Sequence, residues 1–209
     1  MMVVNGKSAF EALPLRRQTP AHWAEQVLNH PLALLNDHAH LEKKAAVNAL
    51  ELLNRWPEPN PPENWVGAMT SVARDEVEHL AAVTRLLARR GGRLTRTHRS
   101  PYAQALRDLV RWGAGPEELT DRLMVSALIE ARSCERFFLL SASCQDRELG
   151  RLYRGLYASE AGHYRVFIDL AKALPDAESV DREWERMLTA EAEIIAQQPS
   201  SPTMHSWVA

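Results

Sequence analysis

The stretch Ala73-Arg74-Asp75-Glu76-Val77-Glu78-His79-Leu80-Ala81-Ala82 places a carboxylate and an imidazole three residues apart. Three residues are nearly one helical turn, so Glu76 and His79 project from one face. A carboxylate beside an imidazole on an otherwise apolar face is half of a metal site. The spacing returns at Glu160-Ala161-Gly162-His163. Nineteen Glu and eight His in 209 residues give about 0.7 such pairs by chance, so the meaning must come from their surroundings.

Those surroundings are helical. Pro31 opens a long helix expected to run to Trp56, with Leu35, Ala39, Glu42, Ala45, Ala46 and Ala49 on one stripe. Pro57, Pro59, Pro61 and Pro62 fill the connection. A second long helix is expected over about 62–90, with Met69, Val72, Ala73, Glu76, His79, Leu80, Val83 and Leu87 inward and Gly91-Gly92 as its stop. A third spans about 116–144, with Leu123, Ser126, Ala127, Glu130, Ser133, Cys134 and Phe137 on one face. A fourth spans about 146–173, capped by Asp146, with stripe Tyr153, Leu156, Tyr157, Glu160, His163, Tyr164 and Phe167. Shorter helices are expected at about 20–29, with Thr19 as N-cap, at about 101–112, capped by Ser100, and at about 178–198. Residues 1–18 are expected to wrap the surface and the tail from Pro199 to be loosely held. No stretch shows convincing strand alternation. The expected fold is all-α: a four-helix bundle of two helix-loop-helix halves, 31–90 and 116–173, within a single domain spanning 1–209.

Depth links the acidic positions. Glu42 lies fourteen residues before Trp56, and Glu76 fourteen after Pro62. In an antiparallel hairpin, equal distance from the turn means equal height, so the two meet. Glu130 lies fourteen before Cys144, and Glu160 fourteen after Asp146. Glu135 is the rival on the third helix, but five residues turn it about 140° from Glu130, which is preferred. Ionised carboxylates inside an apolar bundle cost several kcal/mol each unless paired or metal-bound. Four carboxylates and two imidazoles at one height therefore call for two divalent cations, the ligand set of a carboxylate-bridged bundle site. Ligand type alone admits iron or manganese. Asp75 is placed to orient a ligand imidazole. Glu78, His38 and His40 read as outer-face residues. Small residues Ala39, Ala45, Ala46, Ser126, Ala127 and Ser133 flank Glu42 and Glu130, either leaving room beside the metals or packing helices closely.

Composition limits the other options. Hydrophobic content of 45%, charged content of 25% and net charge −2 describe a globular chain with no global pull to nucleic acid or membrane. No apolar run reaches the ~18 residues a membrane span requires. Met1 to Phe10 lacks the pattern of a signal peptide. Cys134 and Cys144, on one expected helix and ~15 Å apart, cannot bridge. A cytoplasmic location is expected. Charge is nonetheless uneven: His79 through Arg107 holds no Asp or Glu but carries Arg85, Arg89, Arg90, Arg93, Arg96, Arg99 and Arg107. That run reads either as a phosphate-binding patch or as a solvated loop paired with acids elsewhere. It begins ~15–20 Å along the second helix from the metal level.

The run Ile129-Glu130-Ala131-Arg132-Ser133-Cys134-Glu135-Arg136-Phe137, the Asp75-Glu76-Val77-Glu78-His79 turn and Ser159-Glu160-Ala161-Gly162-His163-Tyr164 resemble a known family. It is the bacterial tRNA hydroxylase family acting on 2-methylthio-N6-isopentenyladenosine, within the ferritin-like superfamily, and the resemblance covers about residues 20–198. It implies ligands Glu42, Glu76, His79, Glu130, Glu160 and His163, a di-iron centre, dioxygen as co-substrate, an external electron donor (an electron-transfer protein or reductase), and tRNA as partner. It implies hydroxylation of the isopentenyl group of the adenosine beside the anticodon. Two other classes compete. One is a rubrerythrin- or ferritin-like di-iron peroxidase or ferroxidase, against which the missing CxxC pair and the Arg run count. The other is a metal-free helical adaptor that binds RNA through the basic loop.

Overall fold

A computed structural model describes residues 3–4, 7–8, 13–56, 60–160, 162–174 and 179–208. Four long helical segments form the bundle. α2 (Pro31–Leu53) and α3 (Trp65–Arg89) make the first hairpin, and α5 (Pro116–Ser143) packs on α6 (Arg147–Glu160) and α7 (His163–Lys172) as the second. α1 (His22–Leu28) lies against α2 and α5, while α4 (Pro101–Arg107) and α8 (Val180–Ala196) pack together beside α5. The halves are joined by the long connection from Arg90 to Gly115, the one-crossover arrangement of a ferritin-like bundle. Val3–Val4 pairs antiparallel with Lys7–Ser8 as β1 and β2, a ladder too short to leave an alternating signature.

Local chemistry sets the ends. Gly91 takes φ +78°, its N–H donates to Ala88 O and that of Gly92 to Leu87 O, a Schellman stop for α3. A Cβ on Gly92 would sit 2.3 Å from Leu87 Cδ1, so a larger residue there would have to displace the Leu87 side chain. Asp146 accepts from the backbone N–H groups of Glu148 and Leu149 at 3.0 Å, and Ser100 accepts from Ala103 at 3.3 Å, both as expected caps. The buried Trp65 Nε1 donates to Leu52 O, so the first residue of α3 satisfies a terminal carbonyl of α2. Pro57, Pro59 and Pro175 lie outside the described residues.

Several expectations need correction. The segment 146–173 is two helices: α6 ends at Glu160 and α7 starts at His163, with Gly162 as its N-cap and Gly162 O accepting from Arg165 and Val166. Glycine weakens a helix interior, and the break falls between two candidate ligands. Thr19 does not cap α1, because its backbone N–H and hydroxyl both bond Glu135. The tail is not loose. Met204, His205, Ser206 and Val208 are buried. Met204 N–H donates to Asp37, Arg136 to Ser206 O, and Trp23 Nε1 to Ser206 Oγ. A run of prolines and hydroxyl residues hid four residues that fit one end of the core.

That packing carries a pH signature. His205 lies under the Tyr102 ring, 4.5 Å between centroids, and burial together with Arg136 and Arg132 holds its pKa well below 6.5. The folded chain therefore keeps His205 neutral where the unfolded chain protonates it. Stability contributed above pH 6.5 is lost as pH falls, by up to about 1.4 kcal/mol per pH unit from this group. Replacing His205 by Asn should flatten the dependence of urea midpoint on pH between 6.5 and 5. An unchanged slope would mean that His205 does not contribute.

The core has two apolar ends. Ala49, Leu52, Trp65, Met69, Val72, Leu123, Leu128, Phe167 and Leu170 fill one. Leu34, Leu35, Val83, Leu87, Phe137, Leu140, Leu149, Tyr153 and Leu156 fill the other. Each of α2, α3, α5 and the α6–α7 segment passes from one end to the other, and its acidic residue lies at the crossing.

Candidate metal centre

Glu42 stands eleven residues before the end of α2 and Glu76 eleven after the start of α3. Glu130 and Glu160 stand thirteen residues either side of their turn. All four carboxylates and both imidazoles are buried, none above 9% exposed. Their donor atoms form two groups, Glu42, Glu76, His79, Glu160 and Glu76, Glu130, Glu160, His163, each with its atoms within 4.8 Å of one another. Glu76 and Glu160 belong to both groups, so these two carboxylates lie between the two positions. Glu42 and His79 belong to one alone, Glu130 and His163 to the other.

The imidazoles turn Nδ1 inward. His79 Nδ1 is 2.7 Å from Glu160, 3.7 Å from Glu42 and 3.8 Å from Glu76. His163 Nδ1 is 2.6 Å from Glu160 and 3.0 Å from Glu76. The outward nitrogens are held by Ser159 Oγ, 3.0 Å from His79 Nε2, and by Asp75 Oδ2, 3.5 Å from His163 Nε2. Fixing one ring nitrogen presents the other to a cation.

The donor set fits a pair of divalent cations. His79 Nδ1 and Glu160 Oε2 are fully buried, yet neither has an aligned hydrogen bond. They crowd other donors without pointing at them, which suits a third atom among them. Donors around a hard cation in octahedral geometry at ~2.1 Å stand about 3 Å apart for neighbours and about 4 Å for opposite pairs, a range that includes the 2.6 to 3.8 Å separations found here. Without metal, protons take the cations' place. Burial opposes charge on both imidazoles, but Glu160, Glu42 and Glu76 raise His79 to about 12, and Glu160 and Glu76 raise His163 to about 11. Burial would raise Glu160, but His163 and His79 hold it down at about 2. Burial pushes Glu76 up to about 7 against the pull of both imidazoles. Burial also raises Glu42, and raises Glu130 furthest with help from Glu76 and Glu160.

Beside the carboxylates lies a cavity of about 20 Å³, lined among others by Leu41, Ala45, Ile129, Ser133, Phe137 and Met204. Ala45 and Ser133 leave room there. Ala39, Ala46 and Ala127 are instead buried at helix contacts, and Ser126 is bonded to Asn48. Two residues read as outer-face are buried. His38 bonds Glu42 through Nε2 and packs on Phe137 and Tyr153. His40 bonds Thr95 and stacks on His98 at 4.8 Å. The four-residue step from His38 to Glu42 was the available signal, since it puts both on one face. Glu78 is exposed, as expected. Glu135 lies apart from the cluster, in an ion pair with Arg132.

The basic run divides. Arg89 pairs with Glu148, and Arg90 with Asp146 and Glu148, tying α3 to α6. Arg85, Arg93, Arg96 and Arg99 are exposed and make no ion pair among the described residues. The connector does not continue away from the metal level. It folds back on α2, with Thr95 N–H on Asn36, His98 on Asp37 at 2.7 Å and Lys44 on His98 at 2.9 Å. Arg93 to Arg99 thus run beside the helix that carries Glu42.

Sequence and structure comparisons agree with this picture. The family model described as tRNA-(MS[2]IO[6]A)-hydroxylase (MiaE) matches residues 8–206. A Pseudomonas putida protein named tRNA 2-(methylsulfanyl)-N(6)-isopentenyladenosine(37) hydroxylase is 40% identical, covering 91% of this chain and 90% of that protein. A Salmonella typhimurium protein of the same name is 28% identical, covering 91% and 86%. The solved structure of Protein 43 with aldehyde deformylating oxygenase activity from Synechococcus superposes with TM-score 0.83 and 34% identity, covering 92% of this chain and 96% of that one. With the match spanning nearly the whole sequence, the chain belongs to the tRNA-(MS[2]IO[6]A)-hydroxylase (MiaE) family, on a ferritin-like fold of the di-iron type.

Proposed function

We propose that this protein hydroxylates the isopentenyl group of 2-methylthio-N6-isopentenyladenosine in tRNA. The observation that carries the reading is the buried cluster of four carboxylates and two imidazoles, in a chain 40% identical to a named tRNA hydroxylase. Glu42, Glu76, His79, Glu130, Glu160 and His163 would hold two iron ions. When bound, the iron would supply the dioxygen activation that hydroxylation of an allylic C–H bond requires. Insertion of one oxygen atom into the C–H bond, with the other leaving as water, consumes two electrons and two protons. An electron-transfer protein or reductase is the proposed source of the electrons.

The chain's own residues bind, orient and exclude water. Asp75 and Ser159 fix the imidazoles. Leu41, Ile129, Phe137 and Met204 give the cavity an apolar wall suited to a prenyl group and to dioxygen. The lining comes mainly from α2 and α5, so a prenyl group would enter between these two helices. The base must leave its stack to bring the tail there. A cytoplasmic location is part of the proposal, supported by the tRNA substrate and by two free cysteines. Among the described residues no helix is long and apolar enough to cross a membrane.

Arg85, Arg93, Arg96 and Arg99 are the proposed phosphate contacts. Arg89 and Arg90 already have acidic partners and would have to exchange them. Replacing Arg93, Arg96 and Arg99 by Gln should weaken tRNA binding and lower the salt slope of log affinity by about two to three. An unchanged slope would move the RNA surface elsewhere. An oxygenase acting on a free aldehyde is the alternative offered by the structural neighbour, and an iron- or peroxide-oxidising protein uses the same ligands. The exposed arginines beside α2 favour RNA. The test is to reconstitute the protein with ferrous iron, supply electrons and dioxygen, and analyse nucleosides of bulk tRNA. Gain of one oxygen by the methylthio-isopentenyl nucleoside is expected. A metal-loaded protein that reduces dioxygen but leaves that nucleoside unchanged would overturn the assignment.

A further inference from the structure

The two halves of the bundle supply Glu42 and Glu130 at equivalent positions, but their supports differ. Four residues before Glu42 on the same face is His38. Four before Glu130 is Ser126. His38 is 1% exposed, lines the cavity, and has its ring against Phe137 at 5.0 Å and Tyr153 at 5.7 Å. Its Nε2 is bonded to Glu42 Oε1. With Glu42 ionised, as a metal-bound carboxylate would be, the carboxylate only accepts, so Nε2 donates and Nδ1 is a bare acceptor, buried without a partner. Ser126 does not serve Glu130 in this way. Its hydroxyl donates to Arg122 O at 2.9 Å and accepts from Asn48 at 2.8 Å. Among the described residues no donor from outside the cluster bonds Glu130.

We infer that His38 is a positioning residue that makes the two metal positions unequal. By holding one oxygen of Glu42, it leaves the other directed to the Glu42–His79 position, which fills first and holds its ion. The Glu130–His163 position, whose terminal carboxylate lacks such a tether, fills second and exchanges more readily. This rests on the two-metal reading above.

Cobalt(II) titration of metal-free protein tests it, because visible bands report each ion without redox chemistry. The wild type should take two ions in steps at least about tenfold apart. His38→Leu and His38→Met keep apolar volume but remove the donor. Either should weaken the first step about 10- to 100-fold, the range for loss of a hydrogen bond to a ligand, so that the steps merge. His38→Gln, which can donate to the same oxygen, should restore most of the separation. Two bound ions with unchanged steps in the Leu and Met variants, or equal weakening of both steps, would overturn the inference alone. No cobalt uptake by the wild type would overturn the two-metal reading and this inference with it.

Discussion

Glu160→Gln should destabilise the metal-free protein by about 3 kcal/mol, whereas Glu130→Gln should leave it within about 0.5 kcal/mol of wild type. The two glutamates carry the same side chain at one height of one bundle, but their protonation differs. Glu160 sits between two imidazolium groups, Nδ1 at 2.7 and 2.6 Å, which hold it ionised down to about 2. Removing its charge strands both cations in a buried layer. Glu130 meets burial plus the fields of Glu76 and Glu160, which push its pKa well above the usual carboxylate range and favour the neutral form, of which Gln is close to an isostere. For a chain of this length, 3 kcal/mol corresponds to roughly 6–12 °C in Tm. The contrast closes once metal is added. Both variants lose an anionic group of the proposed ligand set, and both should bind metal more than about 100-fold more weakly, beyond the effect of losing an outer hydrogen bond. Tm of chelator-treated and metal-loaded samples measures all four states. Equal Tm for the two metal-free variants would show that the imidazoles do not depend on Glu160.

The same cluster predicts how pH acts on loading. With the proposed ligands, metal must displace the protons on His79 and His163, whose pKa values are raised to about 12 and 11. Apparent affinity should therefore rise with pH through the neutral range, while acid releases metal and leaves a folded, proton-compensated core.

Much of this layout could be read from sequence because of a cancellation. The first hairpin turn was expected between Trp56 and Pro62, and the helices end at Leu53 and begin at Trp65, three residues short on each side. The second is one residue short on each side, at Ser143 and Arg147. A loop that takes equally from both helices leaves relative depth unchanged, so Glu42 meets Glu76 and Glu130 meets Glu160 whatever the boundary error. What escaped depends on contacts distant in sequence. His38 looks like a surface residue until Phe137 and Tyr153 close on it. Met204 looks like tail until Asp37 takes its N–H. Thr19 is a sound cap by local rules, but Glu135, 116 residues on, binds it more fully. Arg89 and Arg90 belong to a basic run only if Glu148 is ignored.

Glu191→Ala should be among the most damaging single changes away from the metal level, costing about 3–5 kcal/mol and leaving little folded protein at 37 °C. Arg132 is 0% exposed in the middle of α5, and Glu191 of α8 accepts from its Nε at 2.9 Å and Nη2 at 2.8 Å, a bidentate pair. Glu135, Thr19 Oγ1 and Arg17 O accept from its Nη1, and the Tyr102 hydroxyl donates to Glu191 at 2.8 Å. One guanidinium thus joins the N-terminal segment, α4, α5 and α8. Removing Glu191 leaves Arg132 with a single carboxylate and leaves Tyr102 without an acceptor, all inside the core. Removing both ends of the pair is a different matter. Arg132→Met with Glu191→Leu replaces buried charge by apolar volume, and such exchanges run from neutral to stabilising elsewhere, though here Glu135, left without its cation, must also be neutralised, as Gln. The triple variant Arg132→Met, Glu135→Gln, Glu191→Leu should recover most of the Tm lost in Glu191→Ala, as measured by calorimetry at fixed metal load. If the triple variant melts as low as Glu191→Ala, the network contributes bonding that apolar packing cannot replace, and uncompensated charge is not the cause of the loss.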